Sequence, residues 1–447
     1  MLHVYKLTSQ RPIILFQFVF GLYLSVLNAK YLYFNWLPDL YINPIFHSKY
    51  PIFQFHVSLP LAVHIFLYIT LVCCGLGIAF KVQEKLCTMY ALLISLFYFL
   101  FDRLYYSDFS YLNLLFLLSL LVINWSTRDD DSIPKWKVLW LKSQFWIVAF
   151  IAMLHLMTTD FLDNHVWIAR LEIFKFHSFL NLLSTDSIAS FGVYFTIILY
   201  AICLLFLITK KLKKIGLLLW IGLQTSLYIL FYKFEIQVDR ANFPMLMIIG
   251  SLTFVEDNWI QSLKTTLHRS LKKTSSNSTQ PQLKKTSGRY FIGPQKLATL
   301  TTLCLLIFMS IQLLLPLRGY VVGHHDREWT NGQNIFSWRM KLKQFYFYGH
   351  LTVKDLTTGT YANINIYDYH LPSGPFRMGS PYSILKFAQF LENKYNNEGH
   401  TNIAIYASIF AKLNNDTTYK PLIDPSIDLT TVTYKFFSSN NWILPYD

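Results

Sequence analysis

Nine apolar runs constrain this chain more than any other feature. They lie at about 12–32, 58–80, 86–101, 109–125, 140–157, 191–209, 215–232, 241–255 and 297–316. A helix rises about 1.5 Å per residue, so roughly 20 apolar residues cross the hydrocarbon of a bilayer. The third and eighth runs are short, and tilt or a re-entrant path accommodates such segments among neighbours. Composition points the same way. Charged residues make up 14% of the 447, against about 25% in soluble domains. The fold class expected is a polytopic α-helical membrane bundle of about eight to nine spans, followed by an extramembrane, mostly antiparallel α+β domain. Residues 1–256 form the bundle, 257–296 a basic disordered cytoplasmic loop, 297–316 the last span and 317–447 the outer β-rich domain.

Charge sets the direction. The net charge is +14. No soluble segment carries a basic stripe with interleaved stacking aromatics, which excludes nucleic acid as the partner. Lysine and arginine gather instead on the cytoplasmic side of membrane proteins. With the N-terminus cytoplasmic, Lys81 and Lys85, the stretch 135–137, "KKLKK" at 210–214 and the loop 264–296 all fall inside. The C-terminal domain then lies in the lumen or periplasm. Lys6 and Arg11 precede the first run with no small-residue cleavage site after it, which reads as a first span and not a removed signal peptide. The loop 272–289, "KKTSSNSTQPQLKKTSGR", is a linker by composition. Asn277 and Asn415 head glycosylation patterns, and only Asn415 faces outward on this topology.

The tail has the grammar of a water-facing domain. "QFYFYGHLTVKD" and "TYANINIYDYH" are rich in β-branched and aromatic residues, and "LTTGT" between them supplies a hairpin turn. "SILKFAQFLENKY" places Ile384, Phe387, Phe390 and Leu391 on one helical face. "TNIAIYASIFAKL" alternates as a further strand. The five cysteines all lie in or beside apolar runs, so this domain holds together without disulfides. His324 and His325 adjoin each other, but a lone pair has no third ligand, so no metal is expected.

The segment that follows the last span carries a resemblance. "LLLPLRGYVVGHHDREWTNGQNIFSWRMKLK" resembles the corresponding stretch of the vitamin K-dependent gamma-carboxylases, at Gln312, Leu315, Pro316, Trp329, Thr330, Asn331, Gly332, Ser337, Trp338 and Met340. "HLTVKDLTTGT" resembles the family's next strand and turn. Upstream, "SYLNLLFLLSL" at 110–120 resembles the start of its fourth span. "PKWKVLWLKSQFWIVAFIAMLHLMTTDFLDN" resembles its most characteristic helix, with Pro134, Trp136, Gln144, Ile147, Val148, Phe150, Ile151, Ala152 and Asp160 in register. The resemblance covers essentially the whole chain. It implies an HTTM transmembrane domain and an outer β-rich domain. It also implies lyase and monooxygenase-type chemistry: a vitamin K hydroquinone or related quinol is oxygenated to an epoxide, and the strong base so formed lets a protein glutamate gain CO2. Membrane lipids and a secreted peptide or protein bearing glutamates are the partners implied.

The sequence departs from that family at three polar positions. Leu156 stands where the family has its base lysine, and His155 stands where it has another lysine; Phe109 stands where it has a histidine. Histidine accepts a proton near neutral pH, so His155 is the candidate catalytic residue. An ionisable group in a span lines a cavity or pairs with something, and a bond to a backbone carbonyl is the structural alternative. Arg103, Tyr106, Asp160 and Arg240 are the candidate substrate-binding residues, set against interfacial aromatics, a helix cap and local Arg–Asp pairs. Arg240 has Glu235 and Asp239 nearby in sequence, and an arginine grips a carboxylate in a bidentate way. Trp329, Asn331, Gly332 and Trp338 read as a structural seam, with two large rings buried and an Asn-Gly turn reversing the chain. The competing functions are a carboxylase-like membrane enzyme and a catalytically altered or inactive membrane protein that binds a secreted peptide or lipid. A transporter ranks below both, for want of matched Gly/Pro interruptions in two halves.

Overall fold

The computed structural model describes residues 7–50, 57–125, 132–157, 162, 185–234, 242–260, 262, 295–322, 327–330, 335–338, 345–369, 379–413, 416–435 and 438–446. The predicted runs form helices: α1 (Arg11–Tyr33), α3 (Leu61–Ala79), α4 (Glu84–Phe101), α5 (Asp108–Trp125), α6 (Lys135–Leu156), α7 (Thr185–Ile208), α8 (Lys213–Phe234), α9 (Asn242–Ser251) and α10 (Gln295–Val322). A short α2 (Leu37–Tyr41) follows the first. Five described helices are long and apolar enough to cross a membrane: α1, α3, α4, α6 and the part of α7 from Ser190. The helices at α5, α9 and α10 contain shorter apolar stretches. The eighth run is short in fact. Its ten helical residues rise about 15 Å, roughly half the hydrocarbon thickness.

Close backbone approach joins α1 to α3. A Cβ added to Gly21 would lie 2.5 Å from the Gly75 carbonyl oxygen and 2.6 Å from the Ala79 nitrogen. One turn on, Ser25 Oγ donates across the crossing to the Val72 carbonyl at 2.9 Å. Gly21 and Ser25 meet Gly75 and Ala79, the small-xxx-small pattern that lets helices touch in lipid. A two-stranded ladder of β1 (Leu7–Ser9) and β2 (Ser132–Pro134) pairs Leu7 with Pro134 and Ser9 with Ser132. Because β1 leads into α1 and β2 into α6, both helices start at the same end of the bundle. At that end Lys137 Nζ donates to the Ile123 carbonyl at 2.7 Å, closing the last turn of α5. Trp140 Nε1 donates to Ser119 Oγ at 2.9 Å, tying α6 to α5.

The C-terminal region holds α11 (Arg327–Thr330) and a four-stranded antiparallel sheet in the order β4-β3-β5-β6. β3 (Phe345–Asp355) and β4 (Tyr361–Asn365) make the expected hairpin, with Lys354 opposite Tyr361. β5 (Ile403–Leu413) lies antiparallel to β3, and β6 (Lys420–Pro421) closes the edge. On β5, Ile403, Ile405, Ala407, Ile409, Ala411 and Leu413 are all buried, the period of two that a one-sided sheet needs. Their cover is α12 (Pro381–Asn397), which buries Ile384, Phe387, Ala388 and Leu391. Ser380 caps α12 by accepting the Ser383 amide at 3.2 Å. Gly349 has φ +143 and lies so close to β5 that a Cβ would strike the Ser408 carbonyl oxygen, so only glycine fits there. In the hairpin turn Asp355 accepts the amides of Thr357 and Thr358 at 2.8 and 3.1 Å, and its other oxygen lies 2.9 Å from His400 Nδ1. These bonds hold the Asp355 carboxyl at about 2.

Candidate functional site at the seam between bundle and outer domain

Loop 102–107 starts the site. Extended backbone at Asp102 (φ −149, ψ 125) ends α4. The Asp102 carboxylate then nucleates the loop by accepting the amides of Leu104 at 2.8 Å and Ser48 at 3.1 Å, with His47 Nδ1 at 3.0 Å from its second oxygen. Burial raises the Asp102 pKa, and the His47 and amide bonds oppose that rise. Next in the chain, Arg103 donates its amide to the Ser48 carbonyl at 2.8 Å. Its guanidinium lies 3.7 Å above the ring of Tyr382, on the first turn of α12.

Tyr106 reaches the other way. Its hydroxyl donates to Asp108 Oδ1 at 2.9 Å and accepts the Phe336 amide at 2.6 Å. Burial pushes the Tyr106 phenol well up from its ordinary value, so it stays a donor. Segment 335–338 is held by side chains of three helices and this loop. Arg318, near the end of α10, donates to the Ile335 carbonyl. His155, in the last turn of α6, donates from Nε2 to the Ser337 carbonyl at 2.7 Å. Asp108, at the start of α5, takes the Trp338 amide. Phe336 and Trp338 have φ of +57 and +54. Such angles are uncommon for bulky residues and persist only where surroundings fix them.

Aromatic rings fill the space around this segment. Trp338 stacks on Tyr111 with ring centres 5.0 Å apart. Phe336 meets Tyr111 at 4.8 Å and Tyr106 at 5.4 Å, both edge to face. Phe99 joins Tyr106 at 5.7 Å, and Tyr111 and Gln312 bond across α5 and α10 at 2.9 Å. Among the described residues, the buried indole nitrogen of Trp338 has no hydrogen-bond partner.

The two tryptophans of the seam part company. Trp338 packs in the core of the bundle. Trp329 packs in the core of the outer domain, where its Nε1 donates to the Leu444 carbonyl at 2.8 Å. Nine residues thus carry the chain from one core to the other. The second core also takes in Phe46 and Leu104 from the bundle's loops, with Phe46 5.2 Å from Phe387.

The predicted residues His155, Tyr106 and Trp338 meet at segment 335–338. Arg103 lies on the far side of the same loop, under Tyr382. Asp160, Arg240, Asn331 and Gly332 lie outside the described residues, as do His324, His325 and Asn277. Leu156 and Phe109, where the resemblance expects a lysine and a histidine, are both buried apolar side chains. The sequence reading missed the Asp102–His47 pair and a second polar cluster. In the latter, His64 on α3 is fully buried, bonds Tyr98 OH at 3.0 Å and stacks on Tyr41 at 4.8 Å. Tyr41 in turn bonds Tyr68 at 2.8 Å. A histidine inside an apolar run was the signal available for it.

The arrangement therefore consists of a polar, aromatic-lined joint at the end of an apolar bundle, closed over by a β-rich domain. Comparison with known proteins gives the same division. A model of the HTTM domain matches residues 5–259, more than half of the chain, and a model described as vitamin K-dependent gamma-carboxylase, lumenal domain, matches residues 297–447. No solved structure matches the chain. Two family models in this order, on a bundle of apolar helices and an antiparallel sheet domain, show that the chain belongs to the vitamin K-dependent gamma-carboxylase family of HTTM-domain membrane proteins.

Proposed function

We propose that the protein is a gamma-carboxylase-like integral membrane enzyme, in which oxygenation of a quinol to its epoxide is coupled to carboxylation of glutamate side chains. The observation that carries the reading is that both family models lie in order on one chain, with the polar side chains of Tyr106, His155 and Arg318 meeting at the joint between them. We take the chain to cross the bilayer eight or nine times, with the N-terminus cytoplasmic and the sheet domain in the lumen or periplasm. The lysines at the bundle end where α1 and α6 start support that direction.

A vitamin K hydroquinone is the cofactor proposed. The clustered rings of Phe99, Tyr106, Tyr111, Phe336 and Trp338, with an indole donor on Trp338 that has no partner among the described residues, fit a fused aromatic ring that bears oxygen acceptors. When bound, such a group supplies the reducing equivalents and the strong base that glutamate carboxylation needs. The chain's own part is to orient that ring, exclude water and handle a proton. His155 is the proposed proton carrier, since Leu156 has no basic atom. It must exchange its Nε2 bond to Ser337 for one to the reacting group. Tyr106, Asp160 and Arg240 are the proposed contacts to the glutamyl substrate.

A specific observation favours a second reading. His155 is buried and already bonded to a backbone carbonyl, which suits a positioning role, and Leu156 removes the family's base. On that reading the protein binds a secreted peptide or lipid without turning it over. Purified protein supplied with reduced vitamin K separates the two. Epoxide formation is expected, falling at least about 100-fold in His155→Gln, which can still donate to Ser337 but is no base. No epoxide from the parent protein removes the enzyme reading.

A further inference from the structure

The guanidinium of Arg103 is buried, and no described carboxylate matches its charge. Its Nη1 has no hydrogen-bond partner among the described residues, and the same holds for the buried Tyr50 hydroxyl and Ser48 Oγ on the segment that its backbone pairs with. No described carboxylate lies within ion-pair distance of it. Asp102, its chain neighbour, spends both oxygens on His47, Ser48 and Leu104. Other charge nearby makes matters worse. Lys386, on α12, lies 5.7 Å from the Tyr382 ring that carries Arg103, and it feels the repulsion of both Arg103 and Lys49. Among the described residues, Arg103, Lys386 and Lys49 therefore lie near one another beside a single carboxylate, Asp102, that is already engaged.

A buried charge without a counter-charge is strongly destabilising in general. Water satisfies donors but supplies no charge. The Arg103 face over Tyr382 is occupied, and stacking on a phenol ring does not neutralise a guanidinium. What suits the free donors is a negative ion that accepts from Nη1–H and from hydroxyl groups. The enclosure sets its size: Arg103 is 7% exposed and Tyr50 6%, so a glutamate borne on a peptide reaches this point only if the outer domain lifts away.

We propose that Arg103, Tyr50 and Ser48 form a site for a small inorganic anion, of the size of chloride or bicarbonate, that fastens the outer domain to the bundle. The ion is held between bundle loops 46–50 and 102–106 and the start of α12. It stabilises the docked arrangement because it binds there and not to separated parts. The site is independent of the carboxylase reading, and its test reads no turnover.

The full-length protein, purified in detergent, is exchanged into potassium gluconate, whose anion is too large to be enclosed. Thermal unfolding is then followed while chloride or bicarbonate replaces gluconate at constant ionic strength. A saturable rise of roughly 3–6 °C is expected, and the ion that saturates at the lower concentration is the occupant. Arg103→Met, which keeps the packing on Tyr382 and removes the charge, loses the response. Tyr50→Phe keeps it with a half-saturating concentration roughly tenfold higher. Should Arg103→Met fail to fold, the Tyr50→Phe shift decides alone. A midpoint in the unaltered protein that ignores both anions, or one that responds equally in Tyr50→Phe and Arg103→Met, overturns the proposal.

Discussion

The bundle and the outer domain are held together by different physics. In the bundle, α1 and α3 meet backbone to backbone at Gly21 and Gly75, with Ser25 bonding across. Lipid tails are as apolar as leucine side chains, so burial of apolar groups does not drive helices together there; van der Waals fit and polar links do. In the outer domain, branched side chains of β5 lie under Phe387 and Leu391 of α12, and removing apolar surface from water is the main drive. The difference teaches which substitutions each half tolerates: the bundle crossing suffers from added volume, whereas the sheet suffers from lost volume.

The largest effect expected comes from adding volume to the crossing. Gly75→Leu drives a side chain into the Gly21 carbonyl, 2.7 Å from the site of a single Cβ. Overpacking costs typically 1–3 kcal/mol where side chains can shift, and more here because the obstacle is backbone. Loss of monodisperse protein on size-exclusion chromatography in detergent is the expected readout. An unaltered elution profile would show that α1 and α3 are not apposed in this way. The seam offers a sharper contrast. Trp329→Phe gives up a bond to Leu444 worth about 1 kcal/mol, whereas Trp338→Phe gives up none among the described residues. Limited proteolysis of the outer domain should therefore speed up more for Trp329→Phe. The smallest effect is a pH dependence confined to the outer domain. Asp355 has its carboxyl lowered to about 2 by His400 and two amides, below about 3.9 in an unfolded chain. A lowered carboxyl contributes stability that is present above pH 4 and lost as pH falls toward 2. Asp355→Asn should flatten that part of the unfolding profile, and a profile unchanged by the substitution would remove the turn's charge from the account.

Legibility followed the same division. Strands β3 and β4 were visible by their β-branched and aromatic content and the turn between them, β5 because alternation has a period of two, and α12 because Ile384, Phe387 and Leu391 recur on one face. The apolar runs were visible as length alone. What the runs did not reveal was which faces meet, since a helix apolar all round carries no stripe. The Gly21–Gly75 contact was therefore hidden, although both glycines stood in plain view. The joint was half legible. His155, Arg103, Tyr106, Trp329 and Trp338 were singled out by residue type and place. Their partners were not, because they come from far along the chain: Tyr106 bonds an amide 230 residues away, and His155 a carbonyl 182 away. Single-sequence patterns report neighbours within a turn or a strand pair and carry no information at that range.

The pinning of residues 335–338 has a mechanical corollary. Two carbonyls and two amides in that short stretch are held by the ends of α10, α6 and α5 and by the loop before α5, and two of its residues are locked in a backbone region with little give. A joint of that kind works as a rivet and has no swing. A load on the sheet domain that reaches this stretch arrives at α5, α6 and α10 together, as tension shared among their tips.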